Sequence, residues 1–149
     1  MGTRKLNTKK SLKRNRIGNS GEDSAVEFLK QNGYTVIARN YSSENGEIDI
    51  VSLKHGVLVF TEVKTNSDLR FGKAWIRVDS KKRSCMKRAV YDFLRFETKN
   101  GKVPYYRFGI RFTKKFKTTR CDIIEIYTSQ SDGNTSINHE KNAFEFSRL

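Results

Sequence analysis

The stretch GEIDIVSLKHGVLVFTEVK, residues 46–64, reads as two short β-strands joined by a tight turn at Lys54, His55 and Gly56. It sets Glu47, Asp49, Glu62 and Lys64 within otherwise apolar strand segments. A charge in a half-buried strand costs free energy unless it is paired, hydrated at a cleft or bound to a metal, so acids on neighbouring strands mark a site. Along residues 47–53 the two-residue period places Glu47 and Asp49 on one face, with Ile48 and Ile50 on the other. Residues 57–64, VLVFTEVK, form a near-continuous apolar run of the kind buried on both faces, with Glu62 and Lys64 on one side of its far end.

Upstream, YTVIARNY at 34–41 is β-branched and aromatic and reads as a further strand, followed by a polar turn that ends in Asn45 and Gly46. Before it, Ala25, Phe28 and Leu29 recur at helical spacing, with a capping-box pattern at Ser20 and Asp23 and a stop at Gly33. Glu22 then falls in the first helical turn, where a carboxylate suits the positive end of the helix dipole. Residues 1–17 are basic and poor in hydrophobes, which predicts a flexible arm ahead of a single folded domain over 18–149.

Downstream, residues 65–78 lack a period and mix Arg70, Lys73 and Trp75, as a loop over the site would for phosphate contacts and base stacking; Trp75 serves equally as a core anchor. A second helix is predicted from a cap at Asp79 or Ser80, since Met86, Ala89, Val90, Phe93 and Leu94 match the helical template. Its polar side carries Lys81, Lys82 and Arg88, and Lys81, Arg88 and Arg95 line up seven apart, as a phosphate-binding stripe or a solvated face. Residues 105–112 and 119–127 read as two strands of a hairpin linked by TKKFKT; the ending HEKNAFEFSRL fits a helical turn or a strand.

The chain of 149 residues, 36% apolar, supports one modest core. Its net charge is +14, and residues 1–17 hold seven Lys or Arg and no acid, half of that excess. The balance favours a polyanionic partner, nucleic acid first, with an anionic membrane surface or an acidic protein behind it. Cys85 and Cys121 have no partner at metal-ligand spacing and read as reduced core thiols. With no long apolar run and no secretory leader, the sequence predicts a cytoplasmic protein without a membrane segment.

Phosphodiester hydrolysis needs an activated water, neutralised phosphoryl charge and a stabilised leaving alkoxide, and Mg²⁺ or Mn²⁺ held by oxygen ligands supplies all of these. Asp49 and Glu62 are the natural ligands, with the Val63 carbonyl beside them, Lys64 placed to orient the water or hold the phosphate, and Glu22 and Glu47 as outer ligands. The rival readings are a binding module whose acids form salt bridges, and a structural adaptor in a nucleoprotein assembly.

The set GNSGEDSAVEFL, NGYTVIARNY, GEIDIV, VFTEVKT, FG, Lys81, TRCDII and HEKNAF, in that order over residues 18–144, closely resembles the YraN family of small bacterial proteins. The resemblance implies an α/β fold of the PD-(D/E)XK type, a mixed sheet flanked by helices as in restriction endonucleases and Holliday-junction resolvases. It implies a metal-dependent endonuclease acting on DNA, branched or single-stranded forms included. By resemblance Glu22 is the acid of the first helix, Asp49 the first metal-binding acid, Glu62 and Lys64 the ExK pair, and Glu47 part of GEID. The chain departs from the pattern at Asn66, where the family often has Arg, and in its basic arm. Asp122, His139, Asn142 and Phe144 match family motifs and are read as packing residues.

Overall fold

A computed structural model of the chain describes residues 15–66, 79–129 and 131–145, the side chains of 15–20 and of Asn66 excepted. The elements are α1 (Asn15–Gln31), β1 (Thr35–Ser42), β2 (Glu47–Lys54), β3 (Val57–Asn66), α2 (Ser80–Glu97), β4 (Lys102–Arg107), β5 (Ile110–Lys115), β6 (Thr118–Thr128) and β7 (Thr135–Phe144). A five-stranded mixed sheet runs in the order β1-β2-β3-β6-β7, and β4 and β5 form a separate two-stranded ribbon. β3 and β6 pair in parallel; the other neighbours are antiparallel. A parallel pair requires a crossover, and α2 with the ribbon provides it.

The helices cover opposite faces of the sheet. Ala25, Val26 and Leu29 of α1 pack with Ile50, Val59, Ile124 and Ile126, whereas Met86, Ala89, Val90 and Phe93 of α2 pack with Leu58, Phe60 and Cys121. Alternation along β3 explains the split, because odd residues face α1 and even residues face α2. Glu62 and Lys64 therefore belong to the α2 face.

Local chemistry accounts for the boundaries. Asp79 caps α2 through Oδ1, which accepts from the Lys81 N–H at 2.6 Å. α1 ends in a Schellman motif: Tyr34 N–H donates to Leu29 O and Gly33 N–H to Lys30 O, each at 3.0 Å, with Gly33 at φ 80°. His55 and Gly56, at φ 50° and 78°, form the two-residue left-handed turn between β2 and β3.

Several expectations change. α1 begins at Asn15, so Ser20 lies inside the helix rather than capping it and Glu22 is not in the first turn. The run is free of proline, and Ile17 continues the spacing of Gly21 and Ala25 upstream. Residues 1–14 of the expected arm lie outside the described residues, as do Arg70, Lys73 and Trp75. YYRFGIRF is not one strand: Phe108 and Gly109, at φ 52° and 74°, fold it into the β4–β5 ribbon. Residues 119–127 consequently pair with β3 and β7 instead of with 105–112. The C-terminal segment resolves as strand, β7. Cys85 and Cys121 are free thiols, but only Cys121 is fully buried. No described helix is long and apolar enough to cross a membrane.

Candidate active site

The β2–β3 ladder runs from Lys54↔Val57 to Ile50↔Thr61. One residue further on, the Asp49 carboxylate takes the place of a backbone acceptor: the Val63 N–H donates to its Oδ2 at 2.7 Å. The side chain thus enters between the strands where they part. Ile48 packs in the α2-side cluster while Ile50 packs in the α1-side cluster, so these two do not share a face as strict alternation predicts. The break in the pattern falls at Asp49, where β3 no longer holds the strand in register.

Glu62 lies on β3 next to this gap, 2% exposed. Lys64 Nζ stands 3.1 Å from Glu62 Oε1, as their spacing on one side of a strand predicts. The Lys82 ammonium, from the first turns of α2, pairs with the same oxygen. Lys82, read from sequence as part of a phosphate-binding face, therefore converges on the acids. Lys81, Arg88 and Arg95 remain exposed on α2.

Two glycines allow this convergence. A Cβ on Gly21 would overlap Thr65 Oγ1, so the bare backbone lets α1 seat against the end of β3 and brings the next residue, Glu22, to the cluster. A Cβ on Gly46 would lie 2.7 Å from the Cys85 carbonyl carbon, so Gly46 sets how closely the start of β2 approaches α2, one turn beyond Lys82. Asn45 Nδ2 adds a hydrogen bond to Asp92 Oδ2 on α2 at 2.9 Å.

The electrostatics are unbalanced. Burial and the charge of Glu62 push the Asp49 carboxyl up to about 7, with Glu22 adding to the rise and the Val63 N–H and Lys82 opposing it. Burial acts to lower the Lys82 ammonium but is outweighed by its contacts with Glu62 and the charge of Asp49, which hold it above its ordinary value. Glu22 Oε2 is buried and meets no hydrogen-bond donor among the described residues. Glu47 is exposed at the first residue of β2 and is not drawn into the cluster. Among the described residues no three His, Cys, Asp or Glu side chains form a ready-made metal cage.

Sequence reasoning passed over Glu125. It is the β6 register partner of Lys64, 1% exposed, and accepts from Asn138 Nδ2 at 3.2 Å. Side chains of register partners share a face, so it stands beside Lys64. Its signal was present in TRCDIIEIY, an acid inside an apolar strand like Asp49 and Glu62. The other matched motif residues form a distinct centre on the α1 face. There Asp122 accepts from Arg120 Nε at 2.7 Å and Nη2 at 2.8 Å, lies 2.7 Å from His139 Nε2, and accepts from the Asn142 N–H at 3.0 Å.

Residues 21–126 match the model of the uncharacterised protein family UPF0102. A UPF0102 protein of Caldicellulosiruptor saccharolyticus is 34% identical over 133 residues, spanning 89% of this chain and 100% of that protein. One of Persephonella marina is 34% identical over 129 residues, 86% of this chain and 92% of its own length. One of Symbiobacterium thermophilum reaches 51% over 57 residues, covering 38% of this chain and 48% of that protein. With matches of this extent to the family model and to full-length relatives, the chain belongs to the UPF0102 family, the YraN family of the motif resemblance.

Proposed function

We propose that this protein is a divalent-metal-dependent endonuclease of the PD-(D/E)XK type that hydrolyses DNA phosphodiester bonds. The observation that carries this reading is the parting of β2 and β3 at Asp49, with Glu62, Lys64 and Lys82 gathered at the gap. The donor set suits a hard cation. Asp49 gives one oxygen to Val63 and keeps the other for a metal, and Glu62 supplies a second carboxylate. N–H and C=O of one strand residue point to the same edge, so the Val63 carbonyl faces this gap as a third oxygen. Two carboxylates with retained waters and substrate oxygens suffice for Mg²⁺ or Mn²⁺. Burial first, and then the charges of Glu62 and Glu22, raise the proton affinity of Asp49, and a bound cation would offset both effects.

When bound, the metal supplies Lewis-acid charge neutralisation and lowers the pKa of water. Lys64 holds the scissile phosphate or orients the attacking water from beside Glu62. Lys82, half exposed, exchanges its contact with Glu62 for a phosphate oxygen as substrate arrives, and Lys81 and Arg88 extend this contact along α2. Arg70, Lys73 and Trp75 belong to the segment joining β3 to α2 and complete the binding set proposed from sequence.

One observation favours the rival reading, a non-catalytic nucleic-acid-binding module. Two ammonium groups already neutralise Glu62, as in a structural ion-pair cluster. Assays on duplex, single-stranded, flap and four-way DNA with Mg²⁺, Mn²⁺ or chelator decide between them. The nuclease reading predicts cation-dependent cleavage that Glu62→Ala abolishes. Activity surviving both chelator and the substitution would overturn the metal mechanism, and binding without cleavage of any substrate would establish the module.

A further inference from the structure

The β4–β5 ribbon carries features that neither the core nor the acid cluster uses. Its cross-strand pairs are Val103↔Lys114, Tyr105↔Phe112 and Arg107↔Ile110 on one face. Burial falls steadily along that face. Val103 is fully buried against the α2-side core, Phe112 is 42% exposed, Ile110 59%, and Phe108 at the turn 90%. Tyr106 on the opposite face is 68% exposed. The Tyr105 and Phe112 rings lie 5.4 Å apart at a 31° tilt, and the Arg107 guanidinium lies 5.3 Å from the Phe108 ring centroid.

Residues 98–121 contain no acid, and Lys99, Lys102, Arg107, Arg111, Lys114, Lys115 and Lys117 surround the apolar stripe. A ribbon that ends in an exposed aromatic ring, with Arg107 against that ring and Arg111 paired with Tyr106 on the other face, has the two elements of single-strand recognition, a stacking platform and phosphate contacts. The ring cannot stack on a base inside continuous duplex without first opening the helix, at a cost of unstacking.

We propose that the β4–β5 ribbon is a nucleic-acid-binding wedge, in which Phe108 stacks on an unpaired base while Arg107 and Arg111 hold the flanking phosphates. The proposal deepens the nuclease reading by naming its substrate class as DNA with unpaired bases. The ribbon is anchored away from the acids: Lys114 Nζ donates to Thr35 Oγ1 at 3.1 Å and Lys117 N–H to Gly56 O at 2.7 Å. Those contacts lie at the β2–β3 turn, roughly 17 Å along β3 from Glu62 at the usual strand rise. The wedge therefore acts in binding and not in the chemical step.

The test is equilibrium binding of the full-length protein to a labelled single strand, a continuous duplex and a duplex with a central bulge, all in chelator so that cleavage plays no part. Phe108→Ala should weaken strand and bulge binding about five- to a hundredfold, the range for losing one base–aromatic stack, and duplex binding less than about twofold. Phe108→Trp should restore it. Arg107→Gln with Arg111→Gln should weaken binding to all three and flatten the salt dependence on single strands by about 1.4 in log–log slope. Unchanged strand affinity in Phe108→Ala, an equal loss on continuous duplex, or no rescue by Trp would overturn the wedge. So would loss of binding to phosphatidylglycerol vesicles with nucleic-acid affinity intact, which would assign the ribbon to a membrane surface. Because these readouts need no metal, failure of the wedge and failure of the nuclease reading are separable.

Discussion

Asp49 and Asp122 are aspartates of one sheet, half-buried on β2 and fully buried on β6, and their surroundings are opposite. Asp122 is fully enclosed and its carboxylate is met by both nitrogens of a fork from Arg120, by His139 and by the Asn142 N–H. Burial pushes its pKa up, but His139, Arg120 and Asn142 outweigh this and hold it below the ordinary value. Asp49 receives one backbone N–H and faces Glu62 and Glu22, and its carboxyl rises to about 7. The protein solvates one acid completely and leaves the other under-compensated. A satisfied network stabilises a fold, whereas acids crowded together at a strand gap lower stability unless something else binds there.

The largest effect is expected at the satisfied acid. Asp122→Ala removes the carboxylate that the partly buried Arg120 and His139 both meet and should cost about 3–5 kcal/mol in urea denaturation. A cost below about 1 kcal/mol would erase the contrast. At the gap the sign reverses. Because the Asp49 pKa is raised in the folded state, the folded protein retains a proton that the unfolded chain has lost between pH 4 and 7, and stability falls as pH rises across that window. Asp49→Asn, which can still accept from Val63, should therefore stabilise by about 1–3 kcal/mol at pH 8 and by nothing at pH 3. Equal effects at both pH values would refute the assignment.

Gly46→Ala forces β2 away from the Cys85 carbonyl and should lower stability by about 1–3 kcal/mol, read as a drop in Tm. The smallest change in stability belongs to Lys82→Gln. Its side chain is 52% exposed, so solvent screening keeps the loss within about 1 kcal/mol, yet removing the cation should move the Asp49 titration further upward in an NMR pH series.

The β2–β3 hairpin and α2 were legible in the chain because their periods are strong and their turn and cap residues conform. Val57–Phe60 is unbroken apolar, His55–Gly56 takes the left-handed turn, and Asp79 caps α2. Asp49, Glu62 and Lys64 were legible for the opposite reason, as charges that violate those periods. The ribbon was missed because YYRFGIRF is rich in strand-forming residues throughout, and the Phe108–Gly109 turn carries only its glycine as a marker. Lys82 was assigned to an outer face because helical spacing defines a residue's direction from the axis and not where a long side chain ends. Glu22 needed the close seating of Gly21 on Thr65, a contact between residues far apart in sequence.

The most direct test of the divalent-cation site is calorimetric titration of Mn²⁺ at pH 6 in two buffers of different ionisation enthalpy. With Asp49 mostly protonated at that pH, the wild type should bind saturably and release about one proton per ion, because metal displaces proton from its ligand. Asp49→Asn should lose both the saturable binding and the proton release. No saturable binding by the wild type, or the same isotherm in the variant, would contradict a metal site between β2 and β3.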